Sequence, residues 1–482
     1  MLQCSNLSSV MDAKDHFKSK VSEKSHISRS KLIKKKLLIG GMCILLSLFT
    51  VSAFGQRNSI SREQMIQDIN TLFSTIEEVH PDMYAVYPKQ QLDKDIERVK
   101  SELEPSGDIL YFYKHITPLV AKLGDGHTSM FPPYRDSLDF VNVLLFPYAV
   151  KITYPDKKIR VQNDYTQTQN TIPVGAQITS INNKQSNEVV QEMLEYISGE
   201  KDFFKIYVLD YFFTLLNHTL YRDSIFDIEY VFNQKKHSIQ VKGISYKERY
   251  ENPSQQDNLV PNNPYTFSTL SDKNIGIIEF NSFKDLNRFK VFLDSTFQVL
   301  QKEKIENLII DLRKNGGGNS RLGDELFQYI SPVPFAQYGK TIVKYSDIQK
   351  QVYKQYVANP NGIEIYDDVK LIELRENNLR YKSNVFVLIS HFSFSSAADF
   401  SWAFKYFKMG TVIGEESGGI AVGFGDTISQ ELPNSGILYG ISYKKFYNYG
   451  ATDDNVHGTL PDYYVEADKA LDFVIDMITR EK

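Results

Sequence analysis

Short apolar runs alternate with helical patterns through the second half of the chain. The apolar runs are Ile275–Phe280, residues 307–312, Asn384–Ile389 and residues 411–413, and the helical stretches are residues 286–302 and 396–408. Strands without polar positions are buried on both faces, and helices that alternate with them supply the cover in parallel and mixed sheets. The alternation therefore predicts an α/β core with a central mixed sheet, over residues 265–482.

Two regions with other patterns precede this core. In residues 56–138, apolar side chains such as Ile69, Phe73 and Ile76 recur at spacings of three and four, which predicts helices. Residues 139–250 contain short β-branched and aromatic runs between turn residues, which predict a small β-rich module. A stretch rich in Pro and Asn then leads into the core. The predicted fold class is α/β, with an α+β multidomain organisation.

Composition and charge exclude several classes of protein. The 55 Lys and Arg residues against 59 Asp and Glu residues give a net charge of −4, which offers no basic surface for nucleic acid. The two cysteines form no Cys-x-x-Cys pair, and no group of His, Asp and Glu has metal-ligand spacing, so the sequence predicts neither a metal nor a cofactor. With 42% hydrophobic residues, the chain is able to bury its own core.

The N-terminal segment has the pattern of an export signal. Lys34, Lys35 and Lys36 precede an uncharged apolar run at residues 37–54, and small residues at its end place a cleavage site before Gln56. Residues 1–55 are therefore predicted to be a signal peptide with an upstream extension. The alternative is an uncleaved membrane anchor, since a run of this length can just span a bilayer. Cleavage predicts an exported bacterial protein without a stable membrane span, in the periplasm or on the cell surface.

A glycine turn and a triple-glycine turn carry residue types suited to acyl transfer. His127 stands in Leu-Gly-Asp-Gly-His-Thr, and an imidazole that titrates near neutrality suits a general base. Residues 316–318 are three glycines after a buried strand, where backbone N–H groups at a helix start can bind an oxyanion. Each motif alone also allows a plain interpretation, which is a turn histidine bonded to backbone and an ordinary strand-to-helix turn.

A serine cluster follows the third apolar run. Ser393, Ser395 and Ser396 lie between that strand and a helix start rich in small residues. A serine at such a junction is an exposed nucleophile in some hydrolases, although the Gly-x-Ser-x-Gly elbow is missing here. Serines that cap the helix are the competing interpretation.

In this order, and together with residues 411–419 and 458–462, these segments resemble the tail-specific (C-terminal processing) serine protease family. Residues 172–183 are similar to the late part of a PDZ domain, a module that binds peptides by strand addition. The resemblance implies a core of the ClpP/crotonase-like kind, a PDZ-like module at residues 139–250, and a serine-type peptidase that acts on polypeptides.

The resemblance also assigns the catalytic groups. In one branch of the family a lysine serves as the base, but its place here is Ile420, and no lysine occurs between Lys408 and Lys444. The chain therefore resembles the tricorn-like Ser/His branch, which implies Ser395 as nucleophile and His127 as base.

Further roles follow from the same resemblance. It implies an oxyanion hole from Gly316, Gly317 and the Ser396 N–H. The acid of the tricorn-like branch falls near Asn455, so the neighbouring Asp454 is the predicted acid.

The sequence thus predicts an exported serine endopeptidase. Two alternatives stay open at this point: a non-catalytic member of the same fold that binds peptides or apolar ligands, and an esterase with the same acyl chemistry. No oligomeric state is predicted.

Overall fold

The computed structural model describes residues 59–134, 143–166, 171–250 and 263–480. The apolar run at residues 37–54 and most of the predicted linker lie outside this range. Within the described range, no helix is both long enough and apolar enough to cross a membrane.

In residues 59–134, three helices and a short two-stranded sheet form the N-terminal part. The helices are α1 (Arg62–Val79), α2 (Lys89–Glu102) and α3 (Ile109–Ala121), and the strands are β1 (Ile60–Ser61) and β2 (Ser106–Gly107). Helix α1 begins with a capping box, in which the Ser61 hydroxyl accepts the Gln64 N–H and the Gln64 side chain accepts the Ser61 N–H. The predicted apolar stripe of α1 is buried, as the helical periodicity requires.

An antiparallel sheet with two main helices follows. The strands of this region are β4 (Leu144–Leu145), β5 (Tyr148–Ile152), β6 (Ile159–Asp164), β7 (Gln177–Ile181), β8 (Lys184–Gln185), β9 (Ile225–Phe232), β10 (Lys235–Lys242) and β11 (Ile244–Ser245). The helices are α4 (Ser186–Leu194), α5 (Asp202–Tyr221) and α6 (Tyr246–Tyr250). The main sheet has the order β10-β9-β7-β6-β5, with β8 beside β7, and β4 pairs with β11. The likeness to a PDZ domain stays a prediction.

The core holds the predicted mixed sheet. Its strands are β12 (Tyr265–Leu270), β13 (Ile275–Phe280), β14 (Asn307–Asp311), β17 (Asn384–Ile389), β18 (Thr411–Gly414) and β21 (Tyr463–Tyr464), paired in that order. All neighbours run parallel except β12, which is antiparallel to β13. The helices of the core are α7 (Leu286–Glu303), α8 (Arg321–Ile330), α9 (Asp347–Val352), α10 (Ser396–Tyr406) and α11 (Ala470–Arg480). Two 3-10 turns, Ser271–Lys273 and Lys354–Tyr356, complete it.

The parallel pairing of β14 with β17 brings two of the sequence motifs together. Ile310 lies opposite Val387, so both strands end at the same edge of the sheet. The triple-glycine turn leaves β14 at this edge, and the serine cluster leaves β17 there. The carboxyl ends of parallel strands are where sites form in open α/β sheets.

A second, antiparallel sheet brings in the histidine turn. It consists of β15 (Tyr338–Tyr345), β16 (Gly362–Tyr366), β19 (Val422–Glu431) and β20 (Leu438–Asn448), in the order β16-β15-β20-β19. Strand β3 (Ser129–Met130), which follows His127 closely, pairs with β20. This pairing ties the N-terminal part to the core.

Candidate active site

Ser395 begins helix α10 in an unusual backbone conformation. Its φ and ψ are 53° and −131°, a combination that residues with a side chain rarely adopt. It occupies the N-cap position, yet its side chain makes no capping hydrogen bond. Strained backbone at a non-glycine residue is typical of functional sites, where the surrounding structure holds the residue in place.

The neighbouring serines have structural contacts instead. The Ser393 hydroxyl donates to the Leu312 carbonyl over 2.9 Å, and the Ser396 hydroxyl donates to the Gly318 carbonyl over 2.7 Å. Both side chains are buried, and both tie the serine cluster to the strand and glycine turn beside it. Of the three serines, Ser395 alone keeps a hydroxyl that none of the described hydrogen bonds uses.

His127 is held by its own turn and by an aromatic stack. The backbone N–H of His127 donates to Oδ1 of Asp125 over 2.8 Å, and the imidazole ring stacks on Phe394 with the centroids 4.6 Å apart. Phe394 precedes Ser395 in sequence, so this stack places the imidazole beside the start of α10. Burial lowers the pKa of His127, although the charges of Asp125 and Asp426 work in the opposite direction. The ring is therefore neutral near pH 7 and able to accept a proton.

Asp125 joins three distant parts of the chain. Besides the His127 N–H, its carboxylate accepts the Ser442 hydroxyl over 2.6 Å and faces Nε2 of His80 over 3.3 Å. The Asp82 N–H donates to Nδ1 of His80, so the proton of this imidazole lies on Nε2, toward Asp125. Burial opposes ionisation of Asp125, but these hydrogen bonds and the nearby imidazoles outweigh it and lower its pKa to about 2.

Ser395 and His127 line the same small cavity of about 30 Å³. The residues that line it are His127, Glu200, Tyr338, Phe394, Ser395, Asp399, Gly419, Ile420, Gly423, Phe424, Gly425, Phe446 and Asn448. The structure thus brings together the predicted nucleophile and the predicted base, which are 268 positions apart in sequence. Ile420 also lines this cavity, and none of its lining residues is a lysine.

The triple-glycine turn packs directly against Ser395. Gly317 has φ +98°, and a Cβ added there would lie 2.7 Å from Cβ of Ser395 and 2.8 Å from the Phe394 carbonyl oxygen. The Gly317 N–H already donates to the Asn315 side chain over 2.8 Å. Of the three predicted donors, the N–H groups of Gly316 and Ser396 take part in none of the described hydrogen bonds, so these two stay available to an oxyanion.

Asp454 lies apart from the cavity. It is exposed, and its carbonyl accepts the Val456 N–H within a turn beyond strand β20. It is not among the residues that line the cavity. Its role as the acid stays a prediction from the family resemblance.

The acidic residues that do line the cavity are Glu200 and Asp399, which the sequence analysis did not single out. Burial raises the pKa of Asp399 to about 7, while the Tyr338 hydroxyl donates to its carboxylate over 2.9 Å. Asp399 follows Ser395 by one helical turn, a spacing that could have drawn attention to it. Glu200 stands in a loop before α5, and no motif surrounds it.

Asp125, His127 and Glu200 are also the candidate ligands for a metal in the described residues. Their ligand-type atoms all lie within 4.8 Å of one another. The sequence predicts no metal because these residues have no ligand spacing along the chain. Both carboxylate oxygens of Asp125 already accept hydrogen bonds, so the trio offers fewer free ligand atoms than its composition suggests.

A groove of about 1300 Å³ shares the lining residue His127 with the cavity. It lies between the β-rich region, α5 and the carboxyl edge of the central sheet. Aromatic rings from the two sides meet in it, since Phe203 of α5 stacks on His391 and Tyr207 stacks on Phe392. Burial lowers the pKa of His391 to about 4, so this ring is neutral in the groove.

Comparisons with known proteins agree with this architecture. Residues 274–465 match peptidase family S41. A tail-specific protease of Haemophilus influenzae is 24% identical over 215 residues, which is 41% of this chain and 25% of that protein. The chain therefore matches only a quarter of the length of this relative.

Solved structures share the fold. Mature CPAF superposes with a TM-score of 0.61 at 13% identity, over 87% of this chain and 97% of that chain. CPAF complexed with lactacystin gives a TM-score of 0.61 at 12% identity, over 87% of this chain and 98% of that chain. The predicted fold class is confirmed, and the family match supports a serine-type peptidase.

Proposed function

We propose that this chain, whose residues 274–465 match peptidase family S41 and which is similar to a tail-specific protease, is an exported serine endopeptidase that works through an acyl-enzyme. The observation that carries the proposal is the shared cavity of Ser395 and His127. A serine hydroxyl is a poor nucleophile near neutral pH and needs an adjacent base, and a neutral, buried imidazole is such a base.

The chemistry follows from the placement of these groups. Oγ of Ser395 attacks the peptide carbonyl carbon while its proton passes to His127, and the carbonyl oxygen becomes an oxyanion. The N–H groups of Gly316 and Ser396 donate to this oxyanion. When the tetrahedral intermediate collapses, the C–N bond breaks and the leaving amine takes the proton from His127. Water then attacks the acyl-enzyme with His127 again as the base, the bond from the acyl carbon to Oγ of Ser395 breaks, and His127 returns its proton to Oγ as the carboxylic acid leaves.

The substrate class follows from the groove. A volume of about 1300 Å³ exceeds what a small ester needs, and the groove is lined by both the β-rich region and the core. An extended polypeptide fills such a groove, and its aromatic walls offer contacts to apolar side chains. Polypeptide substrates therefore suit the site better than small esters.

Export is the part of the proposal that rests on the sequence alone. The basic residues before the apolar run at residues 37–54 support a signal peptide that is cleaved before Gln56. N-terminal sequencing of the protein from its host tests this: a mature chain that begins near Gln56 supports export with cleavage. Recovery of the intact run in the membrane fraction would support the anchor instead.

Labelling with a fluorophosphonate probe tests the catalytic assignment. The wild-type chain should be labelled, Ser395→Ala should not be labelled at all, and His127→Ala should be slowed on the order of 10³-fold or more, because nucleophile and base act as a unit. Ser295→Ala, on the exposed face of α7, and His237→Ala, on β10, are matched controls that should label like the wild type.

Each alternative has a distinct outcome in the same assays. A chain that binds peptides but takes no probe is the non-catalytic member of the fold. A chain that takes the probe and hydrolyses small esters but no peptide is an esterase. Full labelling of His127→Ala would contradict the proposed base.

A further inference from the structure

We infer that Glu200 is a positioning residue for the base: once it is ionised, its carboxylate accepts the Nδ1–H of His127 and balances the imidazolium that forms when Ser395 gives up its proton. This inference rests on the proposed function above. It assigns to the active site a residue that lies outside residues 274–465, which match peptidase family S41, and 73 positions after His127 in the sequence.

Glu200 and His127 each bury a polar atom that lacks a partner. Oε2 of Glu200 and Nδ1 of His127 are both buried without a hydrogen bond in the structure. One ring nitrogen of His127 and one carboxylate oxygen of Glu200 lie within 4.8 Å of each other, in a cavity that both residues line. A buried polar atom without a partner costs about 1–3 kcal/mol, so two such atoms in one cavity favour pairing with each other.

Asp125 cannot take this role in its present contacts. Oδ1 of Asp125 accepts the backbone N–H of His127 over 2.8 Å. The same oxygen lies 3.8 Å from the ring Nδ1, which is too long for a hydrogen bond. Its Oδ2 accepts from Ser442 and faces His80. Asp125 therefore holds the backbone of the histidine turn and leaves the ring nitrogen free for another acceptor.

The surroundings of Glu200 hold its carboxyl at this place. It precedes α5 by two residues, and Phe204 of that helix stacks on Phe394 with the centroids 4.1 Å apart. Phe394 in turn stacks on the His127 ring. A Cβ added to Gly126 would lie 3.0 Å from Oε2 of Glu200, so the glycine before His127 leaves the room that the carboxyl needs.

The charged groups around the pair set its pH dependence. Asp125 and Asp426 act on His127, and Asp426 itself is paired with Lys444 over 2.6 Å. Burial, followed by the charge of Asp125, raises the pKa of Glu200 to about 8, while backbone hydrogen bonds from Glu200 and Gly126 and the charge of Lys201 act in the opposite direction. Glu200 is therefore protonated in the resting site near neutrality, and its carboxylate forms as the pH rises through about 8.

The test is the pH profile of fluorophosphonate labelling for the full chain. In the wild type the second-order rate should rise in two steps, one as His127 loses its proton and one near pH 8 as Glu200 does. Glu200→Gln keeps the size of the side chain but cannot ionise, so it should lose the step near pH 8 and label on the order of 10²-fold more slowly above it. Glu195→Gln, an exposed residue in the same region, should behave like the wild type.

Several results would overturn the inference. One is a Glu200→Gln profile that keeps both steps, whether or not its rate is lower, because a merely structural role would leave the profile unchanged. If thermal melting shows Glu200→Gln to be unfolded, Glu200→Asp decides: its shorter carboxylate should keep the upper step at a reduced rate, and a wild-type rate would refute the pairing. A wild-type chain that takes no probe would overturn the proposed function as well, whereas normal wild-type labelling with an unchanged Glu200→Gln profile would overturn this inference alone.

Discussion

Gly317→Ala should damage the site through a single added carbon. Gly317 has φ +98°, and the new Cβ would lie 2.7 Å from Cβ of Ser395 and 2.8 Å from the Phe394 carbonyl oxygen. Ordinary van der Waals contact begins at 3.4 Å, so the glycine turn and the start of α10 must separate by more than half an ångström. Ser395 is one of the groups that must move.

The expected magnitude has two parts. A positive φ at a residue with a side chain costs about 1–3 kcal/mol. Overpacking in a close-packed region costs about another 1–3 kcal/mol. Because a displacement of about 1 Å at a reacting group can cost about 100-fold in rate, the shift of Ser395 should slow its reaction on the order of 10- to 100-fold.

Gly175→Ala is the matched control, because it separates backbone strain from collision. Gly175 has φ +84° and nothing within 4 Å of an added Cβ, so this variant should suffer the strain without the contact. Urea unfolding measures the stability of both variants, and the fluorophosphonate rate measures the reactivity of Ser395. We expect Gly175→Ala to be destabilised but to label at the wild-type rate.

The reasoning is refuted if Gly317→Ala is no less stable than Gly175→Ala and labels at the wild-type rate. That result would mean that the turn moves away from Ser395 without cost, and that the glycine turn does not fix the position of the nucleophile.

Three further predictions concern the buried carboxylates and their partners. Because the folded pKa of Asp399, about 7, lies above the value of about 3.9 for an unfolded chain, this group costs stability as the pH rises from about 4 to about 7. We expect the Asp399→Asn variant to lose less stability than the wild type between about pH 5 and about pH 8, as urea unfolding at the two pH values can measure. An equal loss of stability in the two proteins would contradict the burial of Asp399. Ser442→Ala removes a hydrogen bond to the Asp125 carboxylate and should cost about 1–3 kcal/mol of stability. Ser429 is exposed on β19, so Ser429→Ala should cost almost nothing. Equal melting temperatures of the two variants would argue against the contact. Asp125→Asn breaks a buried charged cluster and should cost about 3–5 kcal/mol of stability. Because the pKa of Asp125 is lowered in the folded chain, the stability that its carboxylate contributes should be lost in the wild type only as the pH falls from about 4 toward about 2. Acid titration of unfolding measures this loss.

Much of the core could be read from local patterns. The apolar runs became β13, β14, β17 and β18, because strands buried on both faces leave no other pattern in a sequence. The glycine turn and the serine cluster follow two of these strands directly. Their meeting at one sheet edge is a consequence of parallel pairing, which the alternation with helices already predicts.

The contacts that complete the site could not be predicted in the same way. Asp125 lies 45 positions from His80 and 317 positions from Ser442, and no periodicity connects residues so far apart. Glu200 lines the cavity because α5, which begins two residues later, packs through Phe204 against Phe394. The loop that contains Glu200 carries no motif that would predict this. The Asp454 prediction used spacing from a family resemblance, and spacing says nothing about the direction in which the turn after β20 points.

The contacts of Asp125 have a consequence for when the proposed active site forms during synthesis. One of its partners, His80, directly follows helix α1, and another, Ser442, lies in β20, more than 350 positions later in the sequence. Ser442 must therefore be synthesised before the Asp125 carboxylate can form all of these hydrogen bonds and fix the position of the histidine turn. Until then, the buried acid has no complete set of partners and the base has no fixed place. We therefore expect the proposed hydrolysis to begin only once β20 has docked against the histidine turn.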